Sequence, residues 1–321
     1  MPLVLAKSDR STESLGVRPI EIGLLNNLSD AGLAGGDRQI IELLQAVAGP
    51  QTVRLHFFSL PAIARGPAAR THMAARYSAF AEMPTANLDG LFVTGCEPRM
   101  PRLPQEPFWQ QLTDVIDWAE HNTRSTIFSC LAAHAAVLHL DGIERRSLPQ
   151  KCNGLFPVTT AIAHPLLADA PADLRVPHSR FNDLDAAALE AAGYSILTQG
   201  SIVGVDTFLK SWRSLFVYLQ GHPEYDADAL RREYRRDVLR FLDGTSERYP
   251  DLPVGYFDAV MTERLEIFAS KARRDRDPRL IAALPLESQG PSIAGWNRGF
   301  ATTLFRNWLH YLHAKTSNHA A

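Results

Sequence analysis

Residues 125–142 read STIFSCLAAHAAVLHLDG, and this stretch decides the fold. STIFSC is a short apolar run of the kind buried at the centre of a sheet. LAAHAAVLHLDG has helical spacing and closes on Gly142, a residue suited to a helix C-terminus. Cys130 stands at the junction, as a nucleophile does on a strand–turn–helix elbow. The tight turn exposes the side chain, while the helix N-terminus lowers a thiol pKa and offers backbone N–H groups to an oxyanion. Such a turn needs small neighbours, and Ser129, Ala132 and Ala133 supply them. A buried structural cysteine is the plainer alternative for the same pattern.

The flanking chain repeats the strand–helix alternation. PIEIGLLNNL (19–28), TVRLHFFSL (52–60) and LDGLFVTG (88–95) read as strands, and DRQIIELLQAV (37–47) and PFWQQLTDVIDWAEHN (107–122) as amphipathic helices; GLAGG (32–36) reads as a loop. This alternation predicts an α/β fold with a mostly parallel sheet flanked by helices. Further on, GLFPVTTAIA, AGYSILTQGS and SLFVYLQG follow one another over short loops and predict antiparallel pairing. DADALRREYRRDVLRFLDG (226–244) is a strongly charged helix, 259–290 suggests two short helices, and WNRGFATTLFRNWLHYLHAK (296–315) is an aromatic-rich one. With no repeat, low-complexity tract or linker, residues 1–321 are expected to form one domain, with 1–17 as an N-terminal tail.

Composition narrows the function. A chain of 321 residues, 45% hydrophobic, can bury a sizeable core. With 33 basic against 35 acidic residues and a net charge of −2, nucleic acid is not an expected partner. The local clusters Arg231-Arg232 and Arg235-Arg236 still leave room for an anionic small ligand. Three cysteines, Cys96, Cys130 and Cys152, make a poor disulfide framework and fit a reducing compartment. The N-terminus lacks an h-region long enough for a signal peptide, and no stretch approaches ~20 uninterrupted apolar residues. The expected location is the cytoplasm, away from membranes. Neither a CxxC pair, an HExxH motif nor a phosphate loop is present, so no metal or bound cofactor is expected.

LFVYLQGHPEYDAD (215–228) supplies partners for Cys130. His222 follows a strand and can act as general base, and Glu224, two residues on, can orient its ring. The order Cys, then His-x-Glu late in one α/β unit, is that of the class I glutamine amidotransferase fold. Cys96, after VTG at a strand end, fits a wall of the site or a passive thiol.

These residues and their surroundings resemble the homoserine O-succinyltransferases, which share that flavodoxin-like, three-layer fold. DGLFVTG, STIFSCLAAHAAVLHLDGI, KCNGLF, VPHSRFND, GHPEYDADALRREYRRD and LFRNWLHYL carry the likeness in the family's order, over roughly 18–255 and the last helix. The resemblance implies Cys130 as acyl-thioester nucleophile, His222 as base and Glu224 as its partner. It also implies Lys151 and Ser179 as substrate contacts, Arg236 for the amino-acid carboxylate and Glu233 for the amino group. Glu and Arg at i, i+3 on one helix can grasp both charged ends of an amino acid, although the same spacing serves a surface ion pair. A ping-pong transfer follows, from acyl-CoA to Cys130 and then to the hydroxyl of L-homoserine. Its oxyanion hole would be formed by the backbone N–H groups of Leu131 and of Cys96, and a homodimer is implied.

Two stretches depart from the family. Its MPKK-like segment after the first strand is replaced by NNLSDAGLAGGDRQ (26–39), which has no lysine, and its GAP loop by GCEPR (95–99). The latter puts Arg99 at the acyl-specificity position, where it could pair with a succinyl carboxylate. The segment 259–290 looks like an insertion. Acetyl-CoA as donor, L-serine as acceptor, a hydrolase or glutaminase on the same triad, and a non-catalytic binding protein are the competing readings.

Overall fold

The computed structural model describes residues 3–7, 18–49, 52–286 and 298–317. Ten strands form one sheet in the order β1-β3-β2-β4-β5-β10-β9-β8-β6-β7. They are β1 Leu3–Leu5, β2 Ile20–Leu25, β3 Val53–Phe58, β4 Gly90–Val93, β5 Ser125–Ser129, β6 Arg146–Thr160, β7 Leu174–Asp183, β8 Ser195–Gly200, β9 Gly204–Ser211 and β10 Leu215–Leu219. The first six in sheet order are parallel, and β10, β9, β8, β6 and β7 pair antiparallel in turn. Among the described residues, eight helices accompany them: α1 Asp30–Val47, α2 Pro67–Arg76, α3 Trp109–Asn122, α4 Leu131–Asp141, α5 Ala186–Ala191, α6 Ala229–Leu242, α7 Ala259–Asp275 and α8 Gly299–Ser317.

Side-chain alternation along the strands divides the core into two layers. Leu215, Val217 and Leu219 of β10 join Ile20, Ile22 and Leu24 of β2 under α1 and α8. Phe216 and Tyr218 turn the other way and join Leu91, Val93 and Phe128 under α3 and α4. The result is the expected three-layer α/β arrangement, with a mostly parallel sheet covered on both faces. A third cluster, Tyr234, Val238, Leu265, Phe268 and Ala272, binds α6 to α7 away from the sheet.

Several elements differ from the sequence reading. GLAGG is not a loop but the opening of α1, where Gly36 lies buried against Leu28 and Asn26. The N-terminal tail contributes β1, whose three residues pair with β3 at the sheet's edge. In 259–290, the two short helices are instead the 17-residue α7 and a 3-10 turn at Pro278–Ala283. The parts of these assignments at 8–17, 287–290 and 296–297 fall outside the described residues. Strands β7 and β9 carry no clear apolar signal because their interior positions include Arg180, His178 and Asp206, all buried and polar.

The antiparallel half shapes the site. β6 is 15 residues long; its last residues pair with β8, its middle with β7, and its register shifts between Ser147 and Cys152. The β6–β7 ribbon comes back to β10, where the N–H of His222 donates to Pro177 O at 2.7 Å. It therefore overhangs the carboxyl ends of the parallel strands, where open α/β sheets bind ligands.

Candidate active site

The elbow forms as the sequence suggests, with Cys130 at φ 52° and ψ −112°, a left-handed backbone that a β-carbon disfavours. Three features hold it there. Its N–H donates to Leu219 O at 2.7 Å, and its carbonyl accepts from His134 N at 3.2 Å. Gly95 lies so close behind the turn that a β-carbon there would sit 3.0 Å from Leu131 N and 3.2 Å from Ser129 O. Leu131, as the first residue of α4, has an N–H without an intrahelical acceptor. Farther along α4, His134 is fully buried and shares a 2.9 Å hydrogen bond with Gln220 Oε1, fastening the helix to the end of β10. Burial pushes its imidazole down to about 3, so it is a neutral strut.

His222 and Glu224 follow β10, the strand beside β5. Glu224 Oε1 lies 2.9 Å from His222 Nδ1 and accepts the Ser129 hydroxyl at 2.8 Å. The other ring nitrogen, Nε2, is not used by Glu224, and Cys130 acts on the ring electrostatically. Tyr225 stacks on the imidazole with centroids 4.2 Å apart. Burial by itself would lower the His222 pKa. It is outweighed by the electrostatic influence of Cys130 and by the charge and hydrogen bond of Glu224, which hold the ring well above its ordinary range. The three residues thus meet as a Cys–His–Glu constellation.

A second constellation lies next to it. Glu233 accepts from Tyr225 Oη at 2.7 Å through Oε1 and from the Ser179 hydroxyl through Oε2. Lys151 Nζ reaches Asp237 Oδ2 at 2.8 Å and Glu233 at 3.9 Å. Arg236 pairs with Asp237 Oδ1 at 2.8–2.9 Å and approaches Glu233 at 4.0 Å. Lys151, Ser179, Glu233 and Arg236 are therefore brought together by β6, β7 and α6. Burial would raise the Asp237 carboxyl, but Lys151 and Arg236 hold it below the usual carboxylate range. Burial and the Glu233 carboxylate push the Tyr225 phenol well above its usual range, so it stays a donor.

Cys96 is half-buried at the end of β4, and burial pushes its thiol up to about 12. Arg99 is exposed on the loop that follows, outside both constellations. The Glu106 carboxylate anchors this loop, accepting the N–H groups of Arg99 and Met100 at 2.6 and 2.7 Å. The lysine-free segment 26–39 is gripped by Arg65, which donates to Leu28 O at 2.5 Å and Asn26 O at 3.2 Å.

Sequence reasoning missed Ser129, Tyr225 and Asp237. The first two adjoin triad members, and Asp237 lies one turn beyond Glu233 on the same face of α6. Among the described residues, no group of three or more His, Cys, Asp or Glu side chains is placed to hold a metal ion, and no helix is long and apolar enough to cross a membrane.

The sequence profile of the homoserine O-succinyltransferases matches residues 3–319. The chain belongs to this family. Members similar to it include the homoserine O-succinyltransferase of Rhodopseudomonas palustris, 51% identical over 296 residues, covering 92% of this chain and 89% of that one. That of Methylorubrum extorquens is 48% identical over 293 residues, covering 91% and 87%. Among solved structures, a glutamine amidotransferase from Thermotoga maritima superposes with a TM-score of 0.50 at 13% identity, over 92% of this chain and 99% of that one. One from Methylobacillus flagellatus also gives 0.50, at 15% identity, over 92% and 95%. The family's fold is thus class I glutamine amidotransferase-like.

Proposed function

We propose that the protein is an O-acyltransferase that moves a succinyl group from succinyl-CoA to the hydroxyl of L-homoserine through a Cys130 thioester. Family membership supports the reaction, and the observation that carries the mechanism is the strained elbow at Cys130 beside β10, with His222 held by Glu224 at 2.9 Å where that strand ends.

Cys130 gives its proton to His222, and the sulfur attacks the thioester carbonyl carbon. The backbone N–H groups of Leu131 and Cys96 receive the thioester oxygen as it becomes negative. The tetrahedral intermediate collapses, the carbon–sulfur bond to CoA breaks, and the imidazolium proton passes to the departing CoA thiolate. Acylation also removes the negative charge of Cys130, the foremost influence holding the His222 proton. His222 is thereby released as a base just when one is required. It takes the proton of the homoserine hydroxyl, whose oxygen attacks the acyl-enzyme and restores the thiolate.

The second constellation suits the acceptor. Lys151 and Arg236 against Glu233 and Asp237 make a charge-balanced pair of poles for an α-amino acid's carboxylate and ammonium. Ser179 and Tyr225 hold Glu233 in position. Arg99, on the loop at the site's mouth, favours a donor with a free carboxylate. Like the reaction scheme, a homodimer is proposed from the family likeness.

CoA release, measured with succinyl-, acetyl- and propionyl-CoA against L-homoserine and L-serine, tests the assignment. Turnover is expected with succinyl-CoA and L-homoserine and abolished by Cys130→Ala. A preference for acetyl-CoA or L-serine would move the protein to another substrate pair on the same mechanism. Glutamine hydrolysis without any acyl-CoA turnover would replace the assignment with a glutaminase.

A further inference from the structure

We infer that Tyr225 is a positioning residue that couples the acceptor pocket to the general base, setting the plane of the His222 imidazole from one face while its own phenol is anchored on Glu233. The inference rests on the acyl-transfer reading above and adds to it the link between the two constellations.

The imidazole is the starting point. The backbone of His222 is fixed by its N–H, which donates to Pro177 O at 2.7 Å, and its Nδ1 lies 2.9 Å from Glu224 Oε1. A single hydrogen bond at one edge leaves a ring free to tilt about the line joining the two atoms. A group that transfers protons has to be held within about 10–20° of its working orientation. Tyr225 removes that freedom. Its N–H donates to His222 O at 3.0 Å, and this tight turn folds the phenol ring back over the imidazole, with centroids 4.2 Å apart and planes 13° apart. The stack covers one face of the base and leaves its nitrogen-bearing edges for hydrogen bonds and proton transfer.

What holds the tyrosine is the second argument. Its Oη donates to Glu233 Oε1 at 2.7 Å, and the other oxygen of Glu233 accepts the Ser179 hydroxyl. Burial and the Glu233 charge keep the phenol protonated, so it remains a donor. A purely packing role would be met by phenylalanine. The hydroxyl instead makes the ring's position depend on the carboxylate proposed for the acceptor's ammonium. Both ends of this chain rest on β7, His222 through Pro177 and Glu233 through Ser179. An ammonium settling on Glu233 therefore steadies the ring that lies on the base, and the imidazole is best aligned when the hydroxyl it must deprotonate has arrived.

The test starts from the acyl-enzyme formed with succinyl-CoA alone. Its discharge is timed with saturating L-homoserine and with hydroxylamine, a nucleophile that attacks thioesters without a base or an amino-acid pocket. Tyr225→Phe keeps the stack and loses the anchor. It is expected to lower the ratio of homoserine to hydroxylamine rates by about 10-fold or more, the scale of a hydrogen bond to a charged group. Tyr225→Leu loses the stack as well, and should lower the ratio further and also slow acylation, which needs the same imidazole. Ser179→Ala, which frees the other oxygen of Glu233, should act chiefly on the half-saturating concentration of L-homoserine. Discharge by hydroxylamine shows that a variant folds and carries the acyl group. An unchanged ratio in Tyr225→Phe would overturn the inference. So would an effect confined to the half-saturating concentration, which would make Tyr225 only a support for Glu233. If the wild type forms no acyl-enzyme, the acyl-transfer reading fails and takes Tyr225's role with it.

Discussion

At the scale of single residues, the site turns on how firmly His222 keeps its proton. Burial opposes the charged ring, and Cys130 and Glu224 together prevail. Because the folded pKa is raised, the pair's contribution to stability is fully present below the unfolded value of about 6.5 and lost as pH rises through the folded one. NMR titration of His222 should therefore show imidazolium persisting well above pH 6.5. Glu224→Gln and Cys130→Ala should each move the titration downward; no movement in either would contradict the assigned causes. The grouping of Cys130, His222 and Glu224 was legible because they carry local signals, an elbow around Cys130 and a two-residue step from His222 to Glu224. Asp237 was not, because its meaning depends on Lys151, 86 residues away.

Among elements, α6 carries on one face the residues proposed for the acceptor, with Glu233 and Asp237 meeting Ser179 of β7 and Lys151 of β6. Asp237 is the shared counter-ion of Lys151 and Arg236, so Asp237→Ala should leave both cations mispaired. Hydrogen bonds to charged groups are worth about 1.5–3 kcal/mol, and KM for L-homoserine should rise roughly 10- to 100-fold. Single-turnover acylation by succinyl-CoA should be unaffected. Slowed acylation with unchanged KM would place Asp237 in the wrong half-reaction. The parallel strands were readable from short apolar runs, and α3, α4 and α6 from their spacing. β7 was not, because Pro177, His178 and Arg180 interrupt the apolar pattern, and the partners of its buried polar groups come from other strands. The early start of α1 was missed because three glycines within 32–36 read as a loop, although packing on Leu28 makes that stretch helical.

For the whole molecule, the sheet and the third core have separate duties. The two sheet layers fix the elbow and the strands beside it, while the cluster joining α6 to α7 sets where the residues proposed for the acceptor lie. Leu265 is fully buried in that cluster, and Leu265→Ala should destabilise the fold by about 2–5 kcal/mol. Thermal unfolding would measure the loss, and KM for the acceptor should rise more than KM for the donor. A uniform fall in both half-reactions would mean that the third core supports the whole site. The α/β class and three-layer order were legible because strand–helix alternation is a local pattern. The return of β6–β7 over β10 was not, since it depends on a register shift and on contacts such as His222 N–H to Pro177 O. The most direct test of a Cys130 acyl-enzyme is intact mass of the protein mixed with succinyl-CoA alone, followed by peptide mapping. One succinyl group should appear on Cys130, be discharged by L-homoserine as O-succinylhomoserine, and be absent in Cys130→Ala. Turnover without any adduct, or an adduct elsewhere that still discharges to the acceptor, would contradict the mechanism.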